Sequence, residues 1–320
     1  MREGKLKRGD ADDTPLVVTA GLTPAWQRLC VLDELRMGEV NRSSEVYPCA
    51  SGKAINAGIA LQHLGGTSLT LTPLGGVTGT LVEEQLESLG LDYRRIETAR
   101  PTRVCNTLIN RGGRSPTEIV EDAESLASAE LDAFVAAYAE AVAGAALAIV
   151  TGSLPKGTSS SIYRDLLGRT PCPVILDARG PELLAALEKR PLVVKPNRPE
   201  LCQTVGRRLD SDGEVIEAMR DLAERGARWV VVSDGEHPLF VLGEGRTLRI
   251  VPPRVSVVNP IASGDCLAAG LAWALARGRS MLESLRLGVA AASANAAQLL
   301  PGRLDLIEVL RLAETIEIIE

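Results

Sequence analysis

Short β-branched runs alternate along this chain with stretches whose apolar residues recur every three or four positions. Residues 16–20 (LVVTA) read as a first strand. Over residues 53–64, Ile55, Ile59, Ala60 and Leu64 share one helix face, and Gly65-Gly66 stop it. Residues 68–72 read as a strand and 81–89 as a helix. A buried strand over 145–150 ends at Thr151-Gly152-Ser153. Three more apolar β runs cover 174–176, 192–194 and 229–232. Helical patterns over 158–168, 181–188 and 214–225 lie between them. After Gly264 the chain reads as helices. This alternation predicts a mostly parallel sheet with helices on both faces.

In such a sheet ligands bind at the carboxyl ends of the strands. Thr151-Gly152-Ser153, Asp177, Lys195-Pro196-Asn197 and Ser233-Asp234-Gly235 each follow a strand directly, so they are expected to ring one crevice. Two stretches break the pattern. Residues 31–46 and 103–119 are more polar, with strand-like patches and turns such as Arg111-Gly112-Gly113. They predict a small separate sheet over the crevice. There is no linker rich in Gly, Ser or Pro, and there are no internal repeats.

Composition narrows the picture. With 320 residues, 45% apolar and 24% charged, the chain is globular and can bury a large core. A net charge of −6 argues against nucleic-acid or anionic-membrane partners. No apolar run reaches the roughly 18 residues that span a bilayer. Residues 1–14 are polar and charged, which suggests an extension without a signal peptide and a cytoplasmic protein. The six cysteines are scattered without a CxxC pair and are expected to be reduced thiols. His63 and His237 are the only histidines, so a His-rich metal site or a Ser-His-Asp triad is a poor fit.

The richest chemistry lies in Asn259-Pro260-Ile261-Ala262-Ser263-Gly264-Asp265, directly before an apolar helix over about 266–276. Small residues let backbone N–H groups converge on an anion, and the helix adds the positive end of its dipole. A carboxylate there repels a bound phosphate unless it takes a proton from an attacking alcohol. The same residues also suit a plain turn with an N-cap. Ser51-Gly52-Lys53-Ala54-Ile55-Asn56 opens a helix with a cation and an amide, which suits a phosphorylated or hydroxylated ligand or a solvated first turn. In Lys195-Pro196-Asn197-Arg198-Pro199-Glu200, Asn197 and Glu200 could hold Mg²⁺ through water or form a helix cap. Arg103 is a candidate fork for phosphate.

Five segments in order resemble the PfkB/ribokinase-like carbohydrate kinases, and within them the 1-phosphofructokinase and tagatose-6-phosphate kinase branch. Leu22-Thr23-Pro24-Ala25-Trp26-Gln27 resembles LNPAxD, and Ser51 to Asn56 resembles GGKGxN. Thr151-Gly152-Ser153-Leu154-Pro155-Lys156-Gly157 is similar to SGSLPxG. Lys195 to Leu201 is similar to KPNxxEL, and Asn259 to Asp265 to NPxGSGD. Pro116-Thr117-Glu118-Ile119 is similar to this branch's lid segment.

The resemblance implies a three-layer α/β/α sandwich with a small β lid. It implies one kinase domain over 15–320, with lid segments at about 22–48 and 92–122, pairing as a homodimer through the lid. It implies ATP and Mg²⁺ as cofactors and a ketohexose phosphate, fructose 1-phosphate or tagatose 6-phosphate, as substrate. Asp265 would be the general base, with the amides of Ser263, Gly264 and Asp265 on the transferring phosphoryl group. Lys53 and Arg103 would grip the substrate phosphate. Gln27, Gly52, Asn56 and Ser153 would lie at the sugar. Asn197 and Glu200 would organise Mg²⁺, and Lys195, Asn197, Ser233, Gly235 and Asn295 would line the ATP site. Three residues depart from the family pattern. Gln27 stands where an Asp is usual, and Ala54 and Ala262 replace glycines. The amide can donate as well as accept, which leaves room for a different sugar. A free-sugar or nucleoside kinase, or a non-catalytic phosphosugar or nucleotide sensor, are the alternative readings.

Overall fold

The computed structural model describes residues 14–111 and 116–320. The expected N-terminal extension, but for its last residue, and the Gly112-Gly113 turn lie outside the described residues.

The apolar runs pair as the alternation predicts. β1 (Leu16–Ala20) lies between β4 (Thr67–Leu74) and β8 (Leu147–Thr151), parallel to both. β5 (Tyr93–Glu97) extends one side. On the other side follow β9 (Val174–Asp177), β10 (Val193–Val194) and β11 (Trp229–Asp234), all parallel. Buried strands of this kind feed two cores by alternation. Val18, Ala20, Val150, Leu176 and Val232 face one, and Val17, Ile149, Ile175 and Val231 the other. The first core is closed by α3 (Ser128–Val142), α4 (Ile162–Leu167), α5 (Gly180–Ala186), α6 (Arg198–Val205) and α7 (Asp212–Glu224). The second is closed by α1 (Lys53–His63), α8 (Ser263–Ala276), α9 (Met281–Ala296) and α10 (Leu306–Glu314). Three layers result, the ribokinase-like sandwich that the resemblance implies. Chain order runs outward in both directions from β1, so the switch point lies between β1 and β8.

A second sheet has the order β3-β2-β6-β7, built from β2 (Ala25–Leu32), β3 (Glu45–Ser51), β6 (Arg103–Asn110) and β7 (Thr117–Val120). Its register places Gln27 opposite Cys49 on one side and Cys105 on the other. One face buries Leu29, Val31, Cys49 and Ile109 against Leu299 and Leu300. α2 (Gly76–Ser88) supports it, with Val82 and Leu86 packed in one cluster with Ala50.

Some expectations need correction. β5 belongs to the large sheet, so the second lid segment starts at Arg103 and not near 92. Most of residues 31–46 is a connection between β2 and β3, not strand. The region before and after the C-terminal helices also holds β structure missed in the sequence. β12 (His237–Gly243), β13 (Arg246–Val251) and β14 (Glu317–Ile319) add an antiparallel edge. Gly243 pairs with Arg246 across a two-residue loop, Glu244 (φ 50°) and Gly245 (φ 73°), the doubly positive geometry of a tight hairpin.

Gly243 also lies against the ring of Trp229, where an added methyl would come within 2.1 Å of the indole. Gly243→Ala should therefore cost about 1–3 kcal/mol, seen as a lower urea midpoint. Gly144→Ala, which meets open space, is the control. Equal midpoints for the two variants would refute this packing.

Candidate active site

The loops at the switch point approach closely. A methyl on Gly21, just after β1, would lie 2.7 Å from the Thr151 carbonyl oxygen. Thr23 and Ser153 share a hydrogen bond of 3.3 Å. Gly52 precedes α1 at φ 114°, with Pro24 2.8 Å from where a side chain would begin. Only glycine fits both demands. Ala54 is buried and turns its methyl towards Gly21.

A chain of charges runs across the crevice. Lys53 Nζ lies 3.2 Å from both Asp177 Oδ1 and Glu200 Oε1. Lys195 Nζ lies 3.3 Å from Asp177 Oδ2. Asp177 and Lys195 are almost fully buried, whereas the Lys53 side chain keeps 35% exposure. Burial pulls the Lys53 ammonium down, but Asp177, Glu200 and Asp265 together raise it above its usual value. Burial pushes Asp177 up, and Lys195 and Lys53 outweigh it, holding its carboxyl below the usual range. Asp177 is the principal residue missed as a site residue; a lone Asp after a strand also looks like a cap.

Asp265 falls in the first turn of α8, which begins at Ser263, three residues earlier than expected. Its Oδ2 accepts a hydrogen bond from Asn56 Nδ2 at 2.8 Å. Burial raises its carboxyl most, Lys53 pulls it back, and the net value is about 7. In a helix that starts here the N–H groups of Gly264 and Asp265 have no intrahelical acceptor. The Ser263 N–H is bonded to the Pro260 carbonyl at 3.2 Å, so it does not join them as expected. Lys195 takes its place: its Nζ is 3.3 Å from where a Gly264 side chain would start. The arrangement can hold an anion between two amides and an ammonium, with a carboxyl beside it.

Ala262, in the turn into α8, adopts φ 66°, the left-handed conformation that a glycine there would take freely. Asn295 fixes that turn, donating to Ile261 O (2.8 Å) and Ser263 Oγ (3.1 Å) and accepting from Gly302 N (2.9 Å). Its amide thus ties the turn together from both sides.

Other expected residues are also engaged. Arg103 donates to the carbonyls of Thr23, Pro24 and Glu121, tying the small sheet to the switch-point loop. Asn197 Oδ1 accepts from Glu200 N, and Glu200 Oε2 accepts from Asn197 N, a capping box on α6. Ser233 bridges to Asn197 at the strand ends, with Gly235 (φ 60°) in the turn beyond. Gln27 is buried; its Nε2 donates to Thr107 Oγ1 at 2.7 Å, and its Oε1 has no partner.

For Mg²⁺, no group of three acidic, His or Cys side chains that could hold a metal occurs among the described residues. Glu200 keeps spare lone pairs beside Lys53 and Asn197, which fits an ion held through water and phosphate oxygens.

The chain matches the pfkB family carbohydrate kinase model over residues 16–303. It belongs to that family. Escherichia coli phosphofructokinase-2 in complex with fructose-6-phosphate is similar at 25% identity and TM-score 0.84, covering 94% of this chain and 98% of that one. A possible 1-phosphofructokinase of Thermotoga maritima is similar at 21% identity and TM-score 0.85, covering 95% and 98%. Arabidopsis thaliana ribokinase with ribose and ATP is similar in fold at 22% identity and TM-score 0.72, covering 94% and 99%. This pfkB carbohydrate kinase therefore keeps its carboxyl, amides and lysine at the helix start while departing from the family pattern at Gln27, Ala54 and Ala262.

A left-handed alanine costs about 1–2 kcal/mol, partly offset by the extra chain entropy a glycine would lose. Ala262→Gly should thus raise the urea midpoint slightly, by roughly 0.5–1 kcal/mol of stability, with an unchanged slope. A lower midpoint would contradict the strained turn.

Proposed function

We propose that this kinase transfers the terminal phosphoryl group of ATP to a hydroxyl of a ketohexose phosphate, giving a bisphosphate. Fructose 1-phosphate is the first acceptor to test and tagatose 6-phosphate the second. The supporting observation is Asp265: a buried carboxyl with a pKa of about 7, in the first turn of a helix whose first amides are left free to bind an anion. A base is most effective when its pKa lies near the working pH.

The acceptor hydroxyl gives its proton to Asp265 as its oxygen bonds to the γ-phosphorus. The bond to the bridging oxygen breaks, and ADP leaves with the electron pair. Gly264 and Asp265 N–H and the Lys195 ammonium meet the charge on the transferring group. Asn56 orients the carboxylate from the other side. Gln27 presents its Oε1 as an acceptor to a sugar hydroxyl, its orientation fixed by one N–H donated to Thr107. Mg²⁺, held through water near Glu200, would neutralise phosphate charge.

The same proposal covers one kinase domain over 15–320 acting in the cytoplasm. Pairing through the outer face of the small sheet is supported by the exposed Val46 and Ile119. A free sugar or nucleoside is the second acceptor class. It is favoured by the commitment of Lys53 to two carboxylates and of Arg103 to three carbonyls.

ADP release with ATP and Mg²⁺ should occur on one phosphosugar among fructose 1-phosphate, tagatose 6-phosphate and fructose 6-phosphate, and not on fructose or ribose. Asp265→Asn should lose about three orders of magnitude in turnover while still binding ATP. In the wild type, kcat/KM should fall tenfold per pH unit below about 7 and level off above it, since only the carboxylate is active. A raised carboxyl pKa means that the folded state holds a proton the unfolded chain has lost between about pH 4 and 7. Stability from this residue therefore falls as pH rises through that window, and the advantage of Asp265→Asn in Tm should grow. Near-normal turnover in Asp265→Asn, or a flat pH profile, would rule out its role as base.

A further inference from the structure

A substrate that already bears a phosphate needs a cation with hydrogen bonds to spare. Lys53, Lys195 and Arg103 are already partly committed: the two lysines are paired with carboxylates, Lys195 faces the transferring group, and Arg103 holds three carbonyls. Arg303 differs. It is half-buried, and among the described residues it has no hydrogen-bond or ion-pair partner. Burial pulls its guanidinium below the usual value, opposed only by the Cys49 thiol. A partly desolvated guanidinium with unused donors is unfavourable until an anion reaches it.

Its place in the fold is specific. Gly302, its neighbour, packs within 2.9 Å of the Asn56 carbonyl oxygen, measured from where a side chain would begin, and donates its N–H to Asn295. Asn56 holds Asp265, and Asn295 holds the turn that starts α8. Leu299 and Leu300, in the same loop, pack against the inner face of the small sheet. On that face Arg303 exerts its charge on the Cys49 thiol. Cys49 stands opposite Gln27 in the β2–β3 register. An unpartnered guanidinium and an unpartnered amide oxygen thus flank one row of the sheet.

We infer that Arg303 holds the anionic group of the acceptor while Gln27 Oε1 takes one of its hydroxyls. The inference deepens the phosphosugar reading and rests on it for the acceptor's class. A guanidinium fork suits phosphate oxygens, and an amide committed to Thr107 selects a hydroxyl that donates. Arg303 then separates phosphorylated from free sugars, with donors that Lys53 and Arg103 have largely committed elsewhere.

The test is calorimetric binding of fructose 1-phosphate, inorganic phosphate and fructose to wild type, Arg303→Met and Arg303→Lys, with steady-state kinetics and Tm for each. Arg303→Met should weaken both phosphate ligands by about ten- to hundredfold, the loss of a charged hydrogen bond. Fructose affinity, the KM for ATP and Tm should change little, and Arg303→Lys should recover part of the loss. An equal loss for fructose and fructose 1-phosphate, no loss, or no binding of either phosphate ligand by wild type would overturn the inference. If phosphate binding depends on Arg303 but ADP is never released, the kinase reading fails while Arg303 stands. If phosphosugar turnover persists in Arg303→Met with an unchanged KM, Arg303 fails while the kinase reading stands.

Discussion

One buried carboxylate organises the crevice. Asp177 ends β9, and with its two oxygens it pairs with Lys53 at the start of α1 and Lys195 after β10. At about 3.2 Å and an effective dielectric near 20, each attraction is on the order of 5 kcal/mol before desolvation is subtracted. Removing one member would leave the others charged and buried, which typically costs 3–5 kcal/mol. Three elements from separate parts of the chain are therefore held in one register by charge, at the place where the sheet's order reverses.

The same balance sets the base. Asp265 feels burial and Asp177 pushing its proton on, and Lys53, Asn56 and Lys195 pulling it off. Without the lysines a buried carboxyl would stay protonated at neutral pH and could not accept a proton. With more positive charge it would ionise at acidic pH and become a weak base. A value near 7 needs Lys53 close enough to be felt but shared with Glu200. That sharing explains why Lys53 serves the electrostatics of Asp265 better than it could serve as a phosphate grip.

How much of this was legible in sequence depended on whether the signal was local. The β-branched runs of β1, β8, β9 and β11 and the helix over 53–64 were readable because burial on one or both faces leaves a period in the residues themselves. β5 was not, because its Tyr-Arg-Arg-Ile-Glu pattern is that of a half-exposed edge. The β12–β13 hairpin had a signal in Gly-Glu-Gly that was available and passed over. The spacing of Asn197 and Glu200 allowed both a cap and an ion site. The structure makes it a cap whose carboxylate also faces Lys53, which no local pattern could disclose. Asn295 and Arg303 are long-range cases. One ties a turn more than 30 residues upstream, the other is defined by having no hydrogen-bond or ion-pair partner among the described residues, and neither fact is written near the residue.

The departures from the family pattern acquire physical meaning in the same way. A glycine at position 262 would adopt φ 66° freely; alanine holds it because Asn295 ties both sides of the turn, so the amides of Gly264 and Asp265 keep their direction at a cost in strain. At position 27 the amide lacks the charge of an Asp, but Thr107 fixes one of its donors and its carbonyl oxygen has no partner among the described residues. Towards a sugar hydroxyl that oxygen acts as a carboxylate would, as an acceptor only, but with a weaker pull and no repulsion of a nearby phosphate. In a crevice where Asp177, Glu200 and Asp265 already concentrate negative charge, replacing one more carboxylate by an amide lowers the electrostatic barrier to an anionic acceptor. The substitution that left room for a different sugar thus removes, on this geometry, one charge that would repel an anionic group.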